Sequence, residues 1–150
     1  MLTHHRKPVC LSLVSTDLPI WSVVETAATL YQKDRQQFHL VLTEPPLKDE
    51  RSPNNRLLWL DISPSRVTMS MQASGQLSYR HSWQQGLYGF SYYWLQSDSF
   101  QPHEQMRLRN FTCHLSLVGH PLPTNLRLEY ELWSQKVQMG KYVLNLEIHN

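Results

Sequence analysis

RVTMSMQASGQLSYRHSWQQGLYGFSYYWL, Arg66 to Leu95, decides the fold class. Val67, Met69, Met71 and Ala73 alternate with Arg66, Thr68, Ser70 and Gln72. Leu77, Tyr79, His81 and Trp83 alternate next, followed by Tyr88, Phe90, Tyr92 and Trp94. A period of two puts alternate side chains on opposite faces of a strand, so this stretch predicts three strands, each with one apolar face. The register follows from the same pattern. A two-residue turn at Ser74-Gly75 would set Met71 against Ser78 and Met69 against Arg80, wasting both apolar faces. A three-residue loop, Ser74 to Gln76, instead pairs Ala73 with Leu77, Met71 with Tyr79, Met69 with His81 and Val67 with Trp83. A slip of one residue exchanges the two faces, so the apolar pattern selects the longer loop. A four-residue loop from Gln84 to Leu87 then pairs Trp83 with Tyr88, His81 with Phe90, Tyr79 with Tyr92 and Leu77 with Trp94. The predicted face is aromatic and Met-rich, with His81 between Met69 and Phe90. If buried, it is core; if open, Met69, Tyr79, His81, Phe90 and Tyr92 form the ligand or interface face.

Upstream, residues 9 to 15 read as a strand. Asp17 then offers a helix N-cap, with Pro19 inside the first turn. Ile20, Val23, Val24, Ala27, Leu30 and Tyr31 follow at helical spacing, which predicts one amphipathic helix ending in Lys33-Asp34-Arg35. Phe38, Leu40 and Leu42 form a strand. Thr43 to Asn55 is a polar loop with three prolines, long enough to carry function. Leu57 to Ile62 has apolar residues on both faces, as a central, covered strand would. Downstream, Met106 to Val118 changes parity, which a bulge near Arg109-Asn110 would reconcile. Leu126 to Leu132 and Tyr142 to Ile148 alternate again and close a hairpin over Gln135 to Gly140. The fold class expected is α+β, mainly β: a sandwich or open barrel of about nine antiparallel strands with one packed N-terminal helix.

The chain has 150 residues, which suits a single domain, 1–150. Hydrophobic residues are 41 % and the formal charge is +2, an excess too small to imply nucleic-acid binding from bulk charge. Positive charge does cluster locally: Arg6 with Lys7 beside His4 and His5, Lys33 with Arg35, and Arg107 with Arg109. These are the expected contacts to an anionic partner such as RNA or a lipid headgroup. The N-terminal apolar run, Val9 to Val14, is too short for a signal segment, so a cytoplasmic protein with reduced Cys10 and Cys113 is expected, peripheral at a membrane surface at most.

Catalytic signatures are sparse. The eight histidines form no HExxH, the two cysteines no CxxC, and there is no GxGxxG, GxxxxGK[ST] or GxSxG. Cys113 falls in a regular strand pattern, the setting of a buried, inert thiol. Arg127, Glu129 and Glu131 read as a solvated strand face. A non-enzymatic protein with no catalytic, metal or cofactor residues is therefore expected. A Cys–His or carboxylate enzyme is the third reading, distinguished by an accessible Cys113 near His114, His120 or His39.

Three stretches, LSLVSTDLPIWSVVETAATLY, GLYGFSYYWLQSD and LEYELWSQKVQMGKYVLNLEI, together with the order strand, Pro-containing turn, helix, sheet, terminal hairpin, resemble the compact matrix proteins of rhabdoviruses. The resemblance implies a self-associating assembly protein that bridges nucleocapsid and inner membrane surface, a homo-oligomer with nucleoprotein or RNA as partner. The long basic N-terminal arm is missing, and Pro45-Pro46-Leu47-Lys48 lacks the tyrosine of a late-budding motif. The alternative is a small hydrophobic-ligand-binding barrel of the fatty-acid-binding or lipocalin type, its cavity lined by the Val67–Trp94 face and anchored by His81 with Arg80 or Arg109.

Overall fold

The structure, a computed structural model, describes residues 3–44, 56–72, 77–95 and 105–150. It is all-β. Ten strands run in chain order: β1 Thr3–Ser15, β2 Trp21–Gln32, β3 Phe38–Glu44, β4 Arg56–Ile62, β5 Arg66–Gln72, β6 Leu77–Gln84, β7 Tyr88–Leu95, β8 Gln105–Val118, β9 Asn125–Ser134 and β10 Val137–Ile148. Each pairs antiparallel with its sequence neighbours, and β1 also pairs with β10, which closes the barrel. The expected sandwich or open barrel is therefore a closed up-and-down meander, which leaves no sheet edge unpaired.

The expected N-terminal helix is β2, and it is the tenth strand that the sequence reading left out. Trp21 to Gln32 pairs along its length with β1, from Val14↔Trp21 to Thr3↔Gln32. Its helical spacing is a coincidence of two apolar faces. Val24, Ala28 and Leu30 point inward, while Val23, Ala27 and Tyr31 stand at the outward positions between them. The β-branched residues Val23, Val24, Thr26 and Thr29 favour the extended backbone. Asp17 does not cap a helix. Its carboxylate accepts from the Lys141 backbone N–H at 3.1 Å and lies 2.9 Å from the Ser15 hydroxyl, pinning the β1–β2 turn to β10. These two contacts hold the Asp17 carboxyl below its ordinary pKa.

The β5–β6 register is the one the alternation predicts: Val67↔Trp83, Met69↔His81 and Met71↔Tyr79. The Ala73–Leu77 pair and the loop of 73–76 lie outside the described residues or their side chains, as does most of the Thr43–Asn55 loop. The β6–β7 register differs by one residue. The pairs are Tyr79↔Tyr93, Arg80↔Tyr92 and His81↔Ser91. Every side chain of β7 consequently changes face. Ser91 is fully buried inside, and Tyr88 and Phe90 stand 58 % and 42 % exposed outside. The sequence pattern misleads because Tyr88, Phe90, Tyr92 and Trp94 are the more apolar set, while the barrel buries the other.

The bulge expected near Arg109-Asn110 sits three residues later. The β8–β9 register shifts between Thr112 and His114, so Cys113 is the extra residue. Asn110 and Thr112 thus join Leu108 inside, and Leu115 resumes the inward face. Gln85 compensates the ladder broken there. Its side-chain amide accepts from the Leu115 N–H and donates to the Cys113 carbonyl. Gln85→Ala leaves both groups of a partly buried bulge without that partner. It is expected to lower stability by about 1–2 kcal/mol, read as a lower urea midpoint at unchanged slope.

The interior holds one continuous apolar cluster. Leu30, Leu40, Leu60, Val67, Leu126 and Leu146 are each fully buried and pack around Trp83. The β4 reading as a covered strand is corrected: Leu58, Leu60 and Ile62 are core, but Leu57 is 39 % exposed and Trp59 stands on the outer wall.

Candidate functional site

Inside the barrel, β6, β7 and β8 converge on a polar cluster in otherwise apolar surroundings. His81 Nδ1 lies 2.6 Å from Ser91 Oγ, and Asn110 Nδ2 donates to the same oxygen at 2.9 Å. The Tyr93 hydroxyl reaches toward His81 Nε2 at 3.4 Å. His81 stacks on Trp83, with centroids 4.8 Å apart and planes 5° from parallel, and Trp83 abuts Tyr130 at 5.0 Å. Burial pushes the His81 imidazole down to about 3, so it is neutral across the physiological range. Burial likewise pushes Tyr93 up to about 12 and Tyr130 well above the ordinary phenol. The cluster carries hydrogen-bonding capacity without charge.

It is also incompletely satisfied. Asn110 Oδ1, Thr112 Oγ1 and Trp83 Nε1 are buried with no hydrogen-bond partner. Such groups are uncommon in native interiors, and each costs roughly 1–3 kcal/mol when left unmet. Met71, Tyr79, Tyr93 and Met106 are the inward residues between this cluster and the barrel end at which β3, β5 and β7 finish. Met106 is 53 % exposed at that end.

The outer wall of β6, β7 and β8 is different in kind. Arg80 stands opposite Tyr92, and Tyr92 opposite Arg107. The Arg107 guanidinium lies 5.1 Å from the Phe90 ring centroid, and that of Arg109 lies 4.6 Å from Tyr88. Next to these, Trp59, Ser70, Ser78, Arg80 and Trp94 line an external cavity of about 250 Å³.

The residues singled out in the sequence therefore separate. Met69, Tyr79 and His81 face the interior, whereas Phe90 and Tyr92 face solvent, and His81 lies between Met69 and Ser91 rather than Phe90. Arg80 and Arg109 cannot anchor a ligand inside the barrel, because both are outside. The six cationic residues do not converge. Arg6, on outer β1, donates to Thr29 Oγ1 at 2.9 Å, and Lys7 follows it on the inward parity. Lys33 pairs with Asp61 at 3.2 Å beside His39, and Arg35 is exposed in the β2–β3 turn. Burial raises the Asp61 carboxyl, but the hydrogen bonds from His39 and Lys33 outweigh it and hold the group below its ordinary value. Arg107 and Arg109 alone adjoin the aromatic wall.

Cys113 is exposed at the bulge, not buried, and burial together with Glu131 raises its thiol pKa. Both changes follow from the bulge, which the alternation could not place. Arg127 and Glu129 do form an external pair, at 3.1 Å. The sequence reading missed Ser91, Asn110 and Thr112. The signal for Asn110 and Thr112 was the parity change in β8, at a bulge that Gln85 bridges; Ser91 follows from the β6–β7 register.

No family model and no curated protein matches the chain. Among solved structures it is similar to the ywiB protein from Bacillus subtilis, at 13 % identity and a TM-score of 0.63, covering 99 % of this chain and 94 % of that one. That likeness spans the whole barrel and shows its fold.

Proposed function

We propose that the protein is a non-enzymatic ligand-binding barrel that takes a small, largely apolar molecule carrying one uncharged polar group. The carrying observation is the trio of unpartnered interior atoms, Asn110 Oδ1, Thr112 Oγ1 and Trp83 Nε1, set beside the neutral His81–Ser91 pair. A guest hydroxyl or amide supplies the missing donor and acceptor. The cluster itself holds no cation, since His81 is neutral and Arg80 and Arg109 lie outside; the one inward-parity Lys nearby, Lys7, is in register with Met71 through Ala28, Leu42 and Leu58. At the cluster itself this favours an alcohol or amide over a carboxylate.

The matrix-protein reading gains no support. The helix on which its element order depended is strand β2, and the barrel fold fits the ligand-binding alternative better.

Native mass spectrometry of gently purified protein, followed by titration with a series of fatty alcohols and acids of matched length, tests the proposal. Neutral ligands are expected to bind one per chain, more tightly than their acids. Met106→Trp narrows the entrance at an already exposed position and is expected to weaken binding about tenfold or more, a change of about 1.4 kcal/mol. No bound neutral ligand, or equal affinity in the wild type and Met106→Trp, would contradict it.

A further inference from the structure

We propose that the outer wall of β5 to β8 binds single-stranded nucleic acid, independently of the barrel interior. The overall charge of +2 conceals a strong segregation. Strands β5, β6, β7 and β8 contain no Asp or Glu, yet Arg66, Arg80, Arg107 and Arg109 all project from them. The outward carboxylates stand on other strands, such as Glu129 and Glu131 on β9 and Asp61 on β4. None of these three pairs with Arg80, Arg107 or Arg109.

The shape of the wall selects among anionic partners. Tyr88, Phe90, Tyr92 and Trp94 alternate along outer β7, about 6.8 Å apart at the antiparallel strand repeat. That is a ladder of four rings with Arg80 on β6 to one side and Arg107 and Arg109 on β8 to the other, the latter two resting over Phe90 and Tyr88; a base displaces them from the ring face and brings its phosphate to them. Bases stack on such faces without needing a particular sequence, while the arginines meet the phosphates. A lipid headgroup layer takes aromatic rings at its interface without needing them at the strand repeat, whereas stacked bases do use a spaced row, and a duplex would hide its bases from it. The cavity at the Trp94 end of the ladder adds the unpartnered Ser78 hydroxyl. Trp59 and Trp94 line it together with Arg80 and Ser78, and the Ser78 hydroxyl is buried, 1 % exposed, without a hydrogen-bond partner. A base edge inserted between the two tryptophans supplies that partner. The register of β6 on β7 creates the whole arrangement, since the alternative places the ladder inside.

Fluorescence anisotropy with short labelled oligo(U) and oligo(dT) is the test, alongside a duplex of mixed sequence, heparin and phosphatidylserine vesicles. Single strands are expected to bind best, with quenching of tryptophan fluorescence. Three arginine–phosphate contacts predict a slope of log K against log salt near about −2. The triple variant Arg80→Gln, Arg107→Gln, Arg109→Gln is expected to lose about tenfold or more and to flatten that slope. Phe90→Ala with Tyr92→Ala is expected to weaken binding about tenfold while leaving the slope unchanged. These outward positions leave the core intact, and circular dichroism together with a single cooperative urea transition verifies each variant's fold. Equal or tighter binding of duplex, heparin or vesicles overturns the proposal. So does undiminished affinity in either variant, or no single-strand binding at low salt.

Discussion

Acidification is expected to destabilise this protein from about pH 6.5 downward, before its carboxylates begin to titrate. The cause is His81, 5 % exposed and pushed down to about 3 from the usual 6.5. The folded protein therefore prefers the neutral imidazole, and the unfolded chain takes up the proton first. Stability from this group is complete above about pH 6.5 and is lost as pH falls toward about 3. At 1.36 kcal/mol per unit, the full loss is on the order of 5 kcal/mol, of which about 3 kcal/mol is gone by about pH 4. Domains of this kind are stable by roughly 5–15 kcal/mol, so the loss is decisive. The lowered carboxyls of Asp17 and Asp61 add stability that disappears only below the ordinary carboxylate range, further down the same curve. Urea midpoints measured across this range are expected to fall steadily from about pH 6.5. His81→Asn retains a hydrogen-bonding group toward Ser91 without a titrating proton. It is less stable at neutral pH, because it loses the stack on Trp83, but its stability is expected to be nearly flat down to about pH 4. An equal pH dependence in the two proteins would show that His81 is not buried as described.

Gly89→Ala is the second large effect. Gly89 lies within β7, where a Cβ would fall onto the backbone oxygen of Ser82 and within 3.0 Å of Asn110 Oδ1. Neither can yield cheaply: one is backbone of the paired strand, the other belongs to the buried polar cluster. The substitution is expected to cost more than about 3 kcal/mol, at the upper end for overpacking. Gly86 provides the contrast. It has φ +73° but open space around it, so Gly86→Ala is expected to cost only about 1–2 kcal/mol of backbone strain. The comparison is sensitive to the register. With His81 opposite Phe90, Gly89 would stand on the outer face, where an added methyl is tolerated.

The same residues show how much of the fold was legible. The β5–β6 pairing could be derived because Met69, Met71, Tyr79 and Trp83 oppose plainly polar alternates, leaving one self-consistent register. On β7, Phe90 and Tyr92 out-rank Ser91 and Tyr93 in hydrophobicity, so the pattern favoured the inverse face. The structure resolves this through polar matching. His81 shares a hydrogen bond with Ser91, Ser91 accepts from Asn110, and Trp83 packs against Tyr130 in the space that a second aromatic row would need. None of those contacts is local in sequence. The β2 helix failed for a related reason: apolar residues on both faces imitate a 3.6-residue period, and β-branched content was the signal that should have prevailed. The arginine clusters were visible as sequence pairs, but the aromatic ladder that gives Arg107 and Arg109 their setting depends on the β7 face.

Both binding sites proposed above rest on one relation, the pairing of β6 with β7. Cross-strand backbone NOEs in isotope-labelled protein report it directly. Contacts joining His81 to Ser91, Tyr79 to Tyr93 and Arg80 to Tyr92 are the predicted result. Contacts joining His81 to Phe90 and Tyr79 to Tyr92 would return the ladder to the interior and contradict the account.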